Sequence, residues 1–218
     1  MNKELITGTD YDFYADSRPI RYASNNSNGV SWGYRLSHNC EWQVVYEEDK
    51  NIESLGFNID FWCIAKRSIG IPDDCNDIIF YNNACSKNQG IILGSAIGED
   101  CFPGEVFFIN FDKIDSDVNQ IDFLITRYEG DQPKKHDIGL FRIKKLRVRM
   151  VGDKVDLLRH NGRYSSTFQY DYSKFPYENV VVKIGSLIRD ELEWLYKPVV
   201  EGFNANLRDV IRTYGFNI

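Results

Sequence analysis

The sequence predicts an all-β protein, an antiparallel β-sandwich with a short C-terminal helix, and three observations carry that expectation. From Gly56 onward, short apolar or alternating runs follow one another closely: FNIDFWCIAKR, NDIIFYNN, GIILG, EVFFINF, QIDFLITRYE, HDIGLFRI, LRVRMVG, VDLLRHN, STFQYDYS and ENVVVKIGSLIRD. Roughly nine strands with turn signals every ~8–12 residues describe a sandwich or barrel. Nothing between them is long enough to be the crossover helix of a parallel sheet. Finally, Leu146, Val148 and Met150 alternate with Arg147 and Arg149, the pattern of a strand with one wet face.

Taken in order, residues 1–40 read as an N-terminal arm or extension and residues 41–218 as the sandwich domain. The arm is polar, as in YASNNSNGVSWGYRLSHN, yet it carries Tyr11, Phe13, Tyr14, Tyr22, Trp32 and Tyr34. Those aromatics either pack on the sandwich or form an interface. EWQVVYEED reads as the first short strand of the domain. Asn161-Gly162 is a strong hairpin dipeptide. In NANLRDVIRTYGFNI, Leu207, Val210, Ile211 and Tyr214 recur at helical spacing, with Asn204 or Asn206 as cap and Gly215 as stop.

A chain of 218 residues with 43% hydrophobic content can bury one large core. Its 14% aromatic content suits pleated surfaces. Thirty-two acidic against 26 basic residues give a net charge of −6, which argues against nucleic acid as the partner of the whole surface and leaves a protein partner as the expectation. Five cysteines without a CxxC, and His38, His136 and His160 outside zinc spacing, read as free thiols in a reducing compartment. The opening MNKELITGTDYD has no apolar h-region and no run approaches about 18 apolar residues, so no membrane span and a cytoplasmic location are expected.

Four segments together resemble the TerD family of tellurium-resistance and stress proteins. FNIDFWCIA (57–65) is similar to that family's strand with an Asp-Leu-Asp core, and NDIIFYNN (76–83) to its strand ending in Phe-Tyr-Asn. NQIDFLITRYE (119–129) is similar to the strand after its glycine- and aspartate-rich loop, and IGSLIRDELEW to its Gly-x-Leu-x-Arg element before a tryptophan strand. The match runs from about Gly56 to Gly215. The resemblance implies a β-sandwich, a role in stress resistance, no general catalytic activity, and calcium bound in acidic loops.

The family's loop motif, Gly-Asp-Asn followed by Gly-Asp-Asp-Glu, stands here as Gly94-Ser95-Ala96 and Phe102-Pro103-Gly104-Glu105, and its Asp-Leu-Asp as Asn58-Ile59-Asp60. Calcium takes about six to eight oxygens, several of them charged. The changes to Ser95, Pro103 and Gly104 remove side-chain carboxylates, and Ala96 offers only its backbone carbonyl. What is left for a rearranged calcium site is Asn58, Asp60, Glu99, Asp100 and Glu105; the competing reading of GIILGSAIGEDCFPGE is a strand connection that has lost its metal.

Other clusters have plain readings beside functional ones. Asp10, Asp12 and Asp16 lack the central glycine and late glutamate of a calcium loop and read as an acidic arm. Asp112, Asp115, Asp117 and Asn119 read as a polar turn. Arg142, Lys144, Lys145, Arg147 and Arg149 form a basic patch, either a solvated sheet face or a stripe for a phosphate-bearing partner. Cys101 with His136 or His160 is the one economical nucleophile and base pairing, and Glu99 and Asp100 would raise that thiol's pKa, so no catalytic residue is expected.

Overall fold

In the computed structural model the described residues are 20–23, 30–36, 39–48, 58–69, 72, 74–95, 104–128, 143–153, 163–170, 181–190 and 193–217. They form twelve strands in two antiparallel sheets. The seven-stranded sheet contains β1 (Ile20–Ala23), β2 (Val30–Leu36), β4 (Asn58–Arg67), β5 (Ile78–Ile79), β8 (Val118–Tyr128), β11 (Val181–Asp190) and β12 (Glu193–Phe203), in the order β1-β2-β12-β11-β8-β4-β5. The five-stranded sheet contains β3 (Asn39–Glu48), β6 (Ile91–Ser95), β7 (Gly104–Asn110), β9 (Ile143–Asp153) and β10 (Arg163–Tyr170), in the order β10-β9-β3-β7-β6. Helices are short: α1 (Asp74–Asp77) and α2 (Leu207–Thr213). The all-β antiparallel expectation therefore holds, with the helix where the periodicity put it.

Alternation decides what each strand buries. Ile59, Phe61, Cys63 and Ala65 of β4, Ile121, Phe123 and Ile125 of β8, and Val182, Ile184 and Leu187 of β11 meet Cys40, Ile91, Phe107, Ile109 and Val148 of the other sheet in one buried cluster. This is the core between the two layers. The opposite parity of the seven-stranded sheet is also apolar: Trp62, Ile64, Ile78, Leu124 and Val181 are buried with Val210, Ile211 and Phe216. α2 covers that outer face. Asn206 caps it by accepting from the Asp209 amide at 2.9 Å, and Gly215 leaves it at φ 94°, a conformation side chains other than glycine rarely take.

β11 carries a bulge between Lys183 and Gly185, seen as a register slip against both β8 and β12. The extra residue puts Lys183 and Ser186 on the same side of the strand. β9 and β10 are consecutive and antiparallel from Asp153↔Arg163, as the Asn161-Gly162 dipeptide predicts; the dipeptide itself is outside the described residues. From the first 40 residues, β1 and β2 join the seven-stranded sheet, with Leu36↔Trp194 and Tyr34↔Tyr196 registering β2 on β12.

Candidate functional site

β6 ends at Ser95 and β7 begins with Gly104 and Glu105; Ser95 and Glu105 are register partners, and Val44 of β3 flanks Glu105 on its other side. Glu105 has the parity of Phe107 and Ile109, both in the inter-sheet core, and is half-buried. One of its carboxylate oxygens, Oε2, is buried without a hydrogen-bond partner. Burial first, and then the negative charge of Asp60, push this carboxyl up to about 7. Asp60, near the start of β4, has the parity of Trp62 and Ile64 on the face that α2 covers, and burial raises its pKa too. The two carboxylates thus belong to different sheets and reach the same end of the sandwich close enough to repel. A half-buried pair with uncompensated charge can accept a proton or a cation.

Of the expected ligand set, Asp60 and Glu105 are near enough for the charge of one to raise the pKa of the other. Asn58 opens β4, its backbone in register with Tyr128. Glu99 and Asp100 lie outside the described residues, within the segment joining Ser95 to Gly104. Among the described residues no three His, Cys, Asp or Glu side chains gather to hold a metal. Cys101, His136, His160, Asp10, Asp12 and Asp16 are likewise outside the described residues.

The second acidic cluster has a structural use. Arg67, at the far end of β4 from Asp60, donates Nε and Nη2 to Asp77 at 2.7 and 2.8 Å, Nη1 to Asp117 at 2.8 and 2.9 Å, and Nη2 to Asp115 at 2.9 Å. Hydrogen bonding to Arg67 is the main cause that holds Asp115 below the usual carboxylate range. From the other side Arg189 donates to the carbonyls of Val118 and Asp115 at 2.8 and 2.9 Å while lying 4.6 Å over the Trp194 ring. Two guanidiniums thus grip residues 115–118. Sequence reading noticed the aspartates without their arginine.

Of the basic patch, Arg142 is outside the described residues, and Lys144, Lys145, Arg147 and Arg149 lie in β9, an internal strand between β3 and β10. Lys145 pairs with Glu47 and Ile143 with Glu48, so Lys144 is an extra residue at a register slip.

The fold and its ends define a class: a two-layer antiparallel sandwich, ion-paired at one end, with carboxylates beside the β6–β7 connection at the other. The TerD domain profile matches residues 34–214, and the chain belongs to that family. It is 24% identical over 174 residues to the "Tellurium resistance protein TerD" of Serratia marcescens, covering 77% of this chain and 83% of the relative. It is also 24% identical over 145 residues to the "Chemical-damaging agent resistance protein B" of Clostridium acetobutylicum, covering 65% and 96%. Among solved structures, the protein SAV2460, of unknown function, superposes with a TM-score of 0.56 at 14% identity, covering 84% of this chain and 99% of that one. A homologue of telluride resistance protein (TerD), SCO6318 from Streptomyces coelicolor A3(2), superposes with a TM-score of 0.56 at 11% identity, covering 79% and 94%. No helix among the described residues is long and apolar enough to cross a membrane.

Proposed function

We propose that this protein is a cytoplasmic stress-resistance protein that acts by binding a protein partner, catalyses no reaction, and holds one weak calcium ion at the Asp60 and Glu105 end of the sandwich. Family membership and the resistance named for two relatives support the stress role. The observation that supports the cation is Glu105, whose buried oxygen lacks a partner and whose pKa is raised first by burial and then by the charge of Asp60. Asp60 and Glu105 offer oxygens from the two sheets, Asn58 precedes Asp60 by two residues in β4, and Glu99 and Asp100 belong to the segment between β6 and β7. A dication there would compensate the half-buried charge that burial, and then the charge of Asp60, now disfavour. The set lacks the family carboxylates at Ser95, Pro103 and Gly104 and the side-chain oxygen at Ala96, so affinity is low.

Isothermal titration of the purified chain with calcium tests this. One site weaker than about 1 μM is expected, and two sites tighter than that overturn the reading. Glu105→Gln keeps one oxygen, removes the charge and should abolish most of the heat.

A further inference from the structure

The outer face of the seven-stranded sheet carries a buried carboxylate that the candidate cation site does not use. Asp122 of β8 is 2% exposed. Its Oδ1 accepts from Ser186 Oγ at 2.5 Å and Gln120 Nε2 at 2.7 Å, and its Oδ2 from the Tyr214 hydroxyl at 2.8 Å. Lys183 stands 4.0 Å away and pairs with Glu201 at 2.7 Å. Tyr214 closes α2, so one of the donors to this carboxylate arrives on the helix while the rest belong to the sheet.

We propose that α2 is a strap that lifts from and closes on the seven-stranded sheet as a unit, clasped by the Tyr214–Asp122 hydrogen bond over a latent apolar shelf made of Trp62, Ile64, Ile78, Leu124 and Val181. Three features make the opening local. The helix has seven residues, and isolated helices shorter than about 12–15 residues are marginal in water, so α2 is helical because it is docked. Its apolar residues belong to the outer cluster and none to the inter-sheet core, so lifting it leaves the sandwich packed. With Tyr214 gone, Asp122 keeps Ser186, Gln120 and Lys183, and solvent reaches the freed oxygen, so the sheet does not inherit an unpaired buried charge. The hydroxyl gives up its proton only far above neutral pH, chiefly because it is buried, and so it stays a donor.

Hydrogen exchange read by mass spectrometry on the full chain tests the strap, comparing peptides covering 204–217 with those covering 118–128. The strap should exchange faster than β8 in the unmodified protein. Tyr214→Phe should speed the strap by about tenfold or more and leave β8 unchanged, as expected for losing a hydrogen bond to a charged acceptor. Ile211→Ala, which weakens only the apolar half of the docking, should do the same. The proposal is overturned if strap and β8 exchange together in the unmodified protein, if either variant speeds both by the same factor, or if Tyr214→Phe leaves the strap unchanged.

Discussion

Glu105 shows how one residue couples burial to pH. A carboxyl whose folded pKa is about 7 against an ordinary value of 4.5 binds more protons in the folded state between those limits. Its effect on stability is therefore a penalty, full above pH 7, shrinking as pH falls and gone below the unfolded value. Partial exposure discounts the penalty to about 1–2 kcal/mol. Glu105→Gln mimics the protonated form, so urea denaturation without calcium should find it more stable than the parent by about that amount at pH 8, with the difference closing near pH 5. Equal stability of the two at pH 8 would show the charge to be well solvated. A second residue is fixed by space alone. A Cβ on Gly185 would overlap the Tyr196 hydroxyl and lie 2.7 Å from its Cε2, and Tyr196 is fully buried. Gly185→Ala should cost about 1–3 kcal/mol, measured by the same method, because the ring has nowhere to go. The Gly-x-Leu-x-Arg element thereby acquires physical content: Gly185 admits Tyr196, Leu187 fills the core, and Arg189 grips the 115–118 turn.

At the scale of elements, the Arg67 cluster ties the end of β4 to α1 and to the β7–β8 connection. Asp77 is 1% exposed and both of its oxygens accept from Arg67, so removing the guanidinium takes two bonds from a buried carboxylate and the shared cation from two more. Arg67→Met should destabilise by about 3 kcal/mol or more, and Arg67→Lys should recover little, since an ammonium cannot fork to three carboxylates. Thermal denaturation orders the three proteins. Asp115, held below its ordinary pKa, contributes stability that is present above that ordinary value and is lost as pH falls through its lowered one, so this end of the sandwich loosens in acid. Such ties explain what could be read beforehand. β4, β8 and β11 announce themselves as short apolar runs, and α2 by its spacing and cap, because those signals are local. The partners of Arg67 lie 10, 48 and 50 residues away, and Tyr214 reaches Asp122 across 92. No window of sequence contains such pairs. The candidate site is intermediate: motif comparison offered Asn58, Asp60, Glu99, Asp100 and Glu105 without ranking them, while the buried, unpartnered oxygen that distinguishes Glu105 depends on how the two sheets meet.

Over the whole molecule, the sandwich has two unlike ends. The end holding Arg67, Arg189 and Trp194 is neutralised by ion pairs and stacking, with Phe111 5.2 Å from the Trp194 ring. At the end where β4 and β7 begin, burial raises the pKa of both Asp60 and Glu105, and the charge of Asp60 adds to the shift at Glu105. The first 40 residues bear on this division. Read as sequence they form an arm, yet β2 lies along β12 at Leu36↔Trp194, Arg35↔Leu195 and Tyr34↔Tyr196, and Trp194 and Tyr196 are core residues. A chain starting at Ile20 keeps that pairing; one starting at Asn39 leaves β12 with β11 alone and turns a long inner strand into an edge. The shorter chain should therefore unfold at lower urea and associate as concentration rises, whereas the chain starting at Ile20 should match the full-length protein in both. Urea denaturation and light scattering over a concentration series separate the outcomes. A stable, monomeric chain from Asn39 would mean that β2 contributes nothing to the sandwich, and that the segment ahead of β3 is an appendage free to serve a partner.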